Sequence, residues 1–261
     1  MITLLFDSHV HFYRCYDLSL LLHSAVSHAK NMMPDAVPLL GLVLTDGEVS
    51  WGELQAWAKY GTSIVGEGGK WLLSATEVGQ ILQAQSSNGH LVLLMAGRQL
   101  VTREGLELLV LGATEVLSDR SASLSWHLDN NAQSLRILPW GVGKWLGSRG
   151  AEVDRIINDR ANEIVLGDNA GRPGLWAWIP QFKKARALKI PVWPGTDPLP
   201  LNGAEKKVGS NYVVLSVHQI ADLVRNGNQL RDAAVNGVQH RSSVGLIDFV
   251  KSQVALRIKR N

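Results

Sequence analysis

Cysteine is nearly absent: Cys15 is the one thiol in 261 residues, which excludes a disulfide framework or a cysteine-rich zinc centre within the chain. Such usage predicts a reducing, cytoplasmic setting. No apolar run approaches the ~20 residues of a membrane-spanning helix. The opening residues reach Asp7 without a basic stretch ahead of the apolar one, so neither a membrane partner nor a classical secretory leader is expected. Charge is also scarce, at 19% of residues with a formal net charge of +3, and the bases are scattered apart from Arg257, Lys259 and Arg260. That bias suits a small anionic molecule and is too weak to predict nucleic acid. No G-x-G-x-x-G or G-x-x-x-x-G-K-[ST] follows a strand, and no G-x-S-x-G elbow is present. The common nucleotide-binding and serine-hydrolase signatures are therefore missing.

What the chain does have is 46% hydrophobic residues and 25 glycines, enough for a sizeable core without staples. Apolar runs at residues 2–6, 37–44, 91–96, 106–111, 137–139, 164–166, 190–193 and 212–217 read as buried strands, most of them ending in polar or glycine-rich turns. Helical patterns fall at 18–30, 51–59, 151–162 and 180–188, with more helix expected beyond 217. The segment 97–105 reads as an elaborated loop or hairpin. Strands alternating with helices predict parallel strands and right-handed crossovers. With no internal repeat and no Ser/Pro-rich linker, the expectation is an α/β protein in which residues 1–261 form a single β/α (TIM-like) barrel, with strand ends gathered at one mouth. An open doubly wound sheet is the alternative.

The sharpest local signal is Asp7-Ser8-His9-Val10-His11 at the end of the first strand. Period-two alternation points Asp7, His9 and His11 the same way, and two imidazoles one residue apart can share a metal ion. Asp168 and Asn169, with Arg172 close behind, follow a buried run; Asp168 suits a ligand or general base and Arg172 a fork for carboxylate or phosphate, although Asp-Asn before Gly is also a common turn. Asp197, between Thr196 and Pro198 at another strand end, is a further ligand or base. Lys144 lies between Trp140 and Trp145 in a glycine-rich turn and offers an ammonium for an anionic substrate. Trp140, Trp145, Trp176, Trp178 and Trp193 either wall the mouth or pack sheet against helix. His127 and His218 are reserve ligands.

The D-x-H-x-H pattern resembles that of metal-dependent hydrolases of the amidohydrolase type and of the polymerase-and-histidinol-phosphatase (PHP) type. Ala96-Gly97-Arg98-Gln99-Leu100 is similar to the PHP segment in which a glycine is closely followed by a metal-binding Glu, and Gly195-Thr196-Asp197-Pro198 to its late Gly-Ser-Asp-Ala-His. The resemblance implies a regular or distorted, seven-stranded barrel with divalent ions (zinc, manganese or iron) at its C-terminal mouth. Gln99 replaces the bridging carboxylate, and Pro198 or Leu199 the late histidine, so it implies one ion on His9, His11 and Asp197, with Asp7 and Asp168 as further acids. On this reading the protein is a hydrolase of a small anionic substrate, a phosphoester first. Asp197, Asp168 and Lys144 are catalytic, and Arg98, Gln99, Lys144, Asn169 and Arg172 bind substrate. An amidohydrolase acting on a C–N bond, marked by a carboxylated Lys144, and a barrel that binds a ligand or partner without turnover are the alternatives. A homo-oligomer is compatible with either.

Overall fold

The computed structural model describes residues 1–169, 172 and 178–241. The chain opens with β1 (Ile2–Val10), α1 (Leu18–Met32), β2 (Val37–Leu42) and α2 (Trp51–Tyr60), the strand, helix, strand, helix order the apolar pattern predicts. Both helices are capped by their own sequence. Asp17 accepts from the amides of Ser19 and Leu20, and Ser50 and Glu53 form a reciprocal capping box before the chain leaves α2 through left-handed Gly61.

The chain then departs from the barrel expectation. Instead of crossing over, it runs through β3 (Ser63–Gly66), β4 (Gly69–Ala75) and β5 (Ile81–Ser86), an antiparallel meander that pairs on to β6 (Leu91–Met95). Next comes a hairpin of β7 (Gly97–Val101) and β8 (Glu107–Leu111), which starts a second sheet. Gly97 makes the change of sheet possible: a Cβ there would lie 2.6 Å from the Val110 carbonyl oxygen. The remaining elements are α3 (Leu124–Asn130), β9 (Leu135–Pro139), α4 (Gly147–Asp159), β10 (Val165–Asn169), α5 (Pro180–Ala187), β11 (Val192–Gly195), β12 (Tyr212–Val217), α6 (Gly227–Asp232) and β13 (Ala234–His240).

The result is an α/β fold of two mixed sheets, with eight strands in the order β13-β12-β1-β2-β6-β5-β4-β3 and five in the order β11-β10-β9-β8-β7. This corrects the expectation of a single TIM-like barrel. The sheets are open, and the antiparallel meander of β3, β4 and β5 stands where a further crossover was expected, whereas the β7–β8 hairpin is the one read at 97–105. Past residue 217 the described chain holds a 3-10 turn (Ile220–Leu223), the short α6 and a strand rather than a run of helices. The basic residues Arg257, Lys259 and Arg260, and Trp176, lie outside the described residues.

Three large apolar clusters explain the layering. Leu4, Phe6, Leu93, Met95, Leu109, Ile137, Trp193 and Leu215 meet between the two sheets. Leu21, Leu22, Leu54, Trp71 and Leu94 pack the larger sheet against α1 and α2. Leu128, Leu138, Trp145, Ile156, Leu166 and Phe182 pack the smaller one against α3, α4 and α5. Trp193 thus serves the inner core, edge-on to Phe6 at 5.9 Å, while Trp140 and Trp145 join the helix-facing cluster and Trp178 is exposed. Of these tryptophans none is a confirmed wall of the mouth, and three take the packing role. Among the described residues no helix is long and apolar enough to cross a membrane.

The meander has no counterpart in the strand pattern read from the sequence, yet Trp71 within it is 1% exposed and its indole donates to the Gly68 carbonyl. Truncating a buried tryptophan costs about 3–5 kcal/mol. Trp71→Ala should therefore lose stability on that scale in chemical denaturation; a loss below ~1 kcal/mol would show that the meander is not part of the core.

Candidate metal centre

β1 carries His9 and leads directly into His11, and an irregularity in the strand aims them. Asp7 pairs with Leu40 and Val10 with Leu42, so two residues of β1 face one of β2, a bulge at Ser8-His9. The bulge breaks the alternation that would have pointed Asp7 with the histidines. Asp7 is fully buried behind the site, where its Oδ1 accepts from the Thr196 amide at 2.8 Å and its Oδ2 from the Gly209 amide at 2.9 Å and from the Thr196 hydroxyl. Burial pushes its pKa up to about 6, against the pull of those hydrogen bonds.

Thr196 sits next to Asp197, and the carboxylate of Asp7 thereby fixes the segment that delivers Asp197. Asp197 itself adopts φ 44°, a left-handed conformation uncommon outside glycine, and its amide donates to the His9 carbonyl at 2.8 Å. Gly195 permits this close approach of β11 to β1, because a Cβ there would lie 2.6 Å from His9 Cβ.

The side chains then converge. His9 Nε2 lies 3.2 Å from His11 Nε2 and 3.4 Å from Asp197 Oδ1, and His11 Nε2 lies 3.8 Å from that same oxygen. Hydrogen bonding settles which ring nitrogens carry protons. The Asn169 amide nitrogen donates to the Trp140 carbonyl at 3.0 Å and to Asp197 Oδ2 at 2.8 Å, so its Oδ1 is left to accept from His9 Nδ1 at 3.2 Å. Glu48 accepts from His11 Nδ1 at 2.9 Å, and also from the Phe12 amide and the Thr45 hydroxyl. With both Nδ1–H groups engaged, the Nε2 lone pairs and a carboxylate oxygen face one another. These three atoms lie close enough together that they could hold a metal ion, with Asn169 and Glu48 orienting the side chains from behind.

The surroundings tune the two imidazoles in opposite directions. Burial lowers the pKa of His9, opposed by the charge of Asp197. Burial acts the same way on His11, but the hydrogen bond and charge of Glu48 outweigh it and leave that pKa raised. Tyr13 stacks on the His11 ring at 5.1 Å and covers its face.

Of the residues the sequence singled out, the structure brings His9, His11, Asn169 and Asp197 together. Asp7 belongs to the support. Asp168 lies on the other face of β10, held by both forks of Arg172 at 2.8 and 2.7 Å and by Arg241 at 3.0 Å, so Asp168 and Arg172 are committed to each other away from the cluster. Arg98 is exposed and ion-paired with Asp46 at 3.0 Å. Gln99 is half-buried on β7 opposite Leu109. Lys144 pairs with Glu107. His127 Nε2 donates to the Asp119 carbonyl at 2.9 Å, away from the site, and His218 is exposed. Glu48 and Glu107 were missed by the sequence reading. Glu48 follows the end of β2, where the same attention to strand ends would have found it. Glu107 begins β8 on the face shared with Leu109, and its charge acts on both His9 and His11.

No family model and no curated protein matches the chain. Among solved structures the chain is similar to PsfC from Pseudomonas syringae PB-5123, with a TM-score of 0.53 at 12% identity over 100% of this chain and 98% of that one. At that identity the likeness is one of fold.

Loss of an orienting partner behind a metal ligand weakens metal binding roughly 10- to 100-fold. Asn169→Ala should do so for zinc, measured by competition with a chromophoric chelator, and unchanged affinity would remove Asn169 from the site's support. Gly195→Ala, which pushes against His9 Cβ, should weaken zinc binding while the far-UV circular dichroism stays that of the wild type; an alanine variant with full affinity would contradict the close approach described above.

Proposed function

We propose that the protein is a metal-dependent hydrolase of a small anionic substrate, phosphoesters first, with one divalent ion (zinc, manganese or iron) held by His9, His11 and Asp197. The observation that carries this reading is the convergence of two imidazole lone pairs and a carboxylate oxygen whose neighbouring donors are already spent. Without a cation or a proton between them, three such acceptors at these distances repel one another in a buried setting. A divalent ion supplies Lewis acidity, polarising an oxygen of the substrate and making a water acidic enough to attack near neutral pH.

The chain's own residues supply the rest. Asn169 holds Asp197 Oδ2, so that Oδ1 alone turns toward the imidazoles. Glu107 is not used to hold a ligand, and in this reading it accepts the proton of the attacking water. Its partner Lys144 offers a positive charge to the substrate. The water oxygen bonds to phosphorus as the P–O ester bond breaks, and the leaving oxygen takes a proton from solvent, to which Glu107 later returns the one it accepted. Gln99 in place of a bridging carboxylate supports one ion rather than two. Arg98 and Arg172 take no part, since each is paired elsewhere. Nor does any contact of Lys144 favour a carboxylated lysine between metals. A reducing, cytoplasmic setting belongs to the same reading and is supported by the single exposed thiol of Cys15.

Elemental analysis of protein purified without a histidine tag or chelator should find about one zinc, manganese or iron per chain, lost in the His9→Ala, His11→Ala double variant. An aryl phosphate should be hydrolysed by the metal-loaded wild type at least ~100-fold faster than by that variant. No bound metal even after soaking, or full turnover by the double variant, would refute the proposal.

A further inference from the structure

A second site stands apart from the metal cluster. Where β11, the edge of the five-stranded sheet, faces β13, the edge of the eight-stranded one, a cavity of about 600 Å³ opens between α5 and α6. Its apolar lining includes Pro191, Trp193, Val213 and Val238. Its charged lining is Arg186, Lys189 and Arg231 against one acid, Asp232. None of these residues belongs to the His9, His11 and Asp197 group.

Two features mark the cations as placed for a ligand. Arg231 has a buried Nε with no hydrogen-bond partner, a cost that folding leaves uncompensated among the described residues. Burial pushes its pKa down, with only the charge of the adjacent Asp232 acting the other way. Lys189 occupies the turn out of α5 at φ 57°, where helices commonly take glycine. A β-carbon in that conformation crowds the following carbonyl oxygen, so a lysine there is strained where glycine would not be.

We propose that this cavity binds a small organic anion, its carboxylate or phosphate head held by Arg186, Lys189 and Arg231 and its apolar body laid against Pro191 and Val238. The guanidinium of Arg231 suits either head group. The site goes beyond the hydrolase reading and does not depend on it.

The probes are benzoate and phenyl phosphate, titrated by calorimetry against the full chain. The metal cluster is first disabled by His9→Ala, His11→Ala, so that an anion captured there is not counted. Saturable one-to-one binding should persist in that double variant. It should weaken at least ~10-fold on adding Arg231→Met, which keeps the side chain's length and removes its donors, and fall steeply with added salt. Lys189→Gly relieves the left-handed strain and so preserves the fold; it should weaken binding several-fold and decides the matter if Arg231→Met does not fold. Binding abolished by the histidine substitutions, no saturable binding of either probe, or affinity unchanged in Lys189→Gly would overturn the second site.

Discussion

The two sheets are joined at the candidate site by a stitch between β11 and β1, and the chemistry depends on it. The Asp197 amide donates to the His9 carbonyl, the Ser8 hydroxyl donates to the Pro194 carbonyl at 3.1 Å, and Asp7 binds both the amide and the hydroxyl of Thr196. His9 and His11 come from the larger sheet, Asn169 and Asp197 from the strands and strand ends of the smaller one. Neither sheet alone holds a complete ligand set. A buried carboxylate is expensive unless its oxygens are satisfied, and Asp7 is satisfied only when β1, the Thr196 segment and the Gly209 turn are all in place. The His9, His11 and Asp197 cluster is therefore complete only where the two sheets meet.

The fold repeats this economy of polar groups at the ligands. Each imidazole spends one nitrogen on a protein acceptor of fixed polarity and presents the other. His11 leans on Glu48, whose remaining contacts are the Phe12 amide and the Thr45 hydroxyl; His9 leans on Asn169, whose amide nitrogen is anchored to the Trp140 carbonyl. Orientation is built in before any ion binds, which lowers the ordering cost of binding one. At the opposite extreme stands the cavity beside β13, where Arg231 keeps an unsatisfied nitrogen.

Much of this was legible in the sequence and some was not, for physical reasons. Apolar runs located most strands to within a few residues, and the helical pattern at 51–59 located α2. The polar strand ends pointed to His9, His11, Asn169 and Asp197 because polar side chains that close a buried run need a reason to be there. The meander of β3, β4 and β5 escaped because buried residues such as Trp71 and Leu73 alternate with exposed or polar ones, giving no continuous apolar run. That omission made a barrel of regular crossovers look complete. Asp7 was grouped with the histidines because strict alternation was assumed, and one extra residue in β1 reverses it. Asp168 and Arg172 looked like site residues by position, but alternation along β10 turns Asp168 away from Asn169 and into a guanidinium pair. Glu48 lies 37 residues from His11, a separation at which no local pattern reveals pairing.

The central claim is that His9, His11 and Asp197 form one metal centre with two imidazoles in its inner shell. X-ray absorption spectroscopy of the zinc-loaded protein tests it most directly. The account predicts a first shell of nitrogen and oxygen at roughly 2.0–2.2 Å, with outer-shell scattering from two imidazole rings that falls to one in His11→Ala. A zinc shell without imidazole scattering, or one that His11→Ala leaves unchanged, would contradict it.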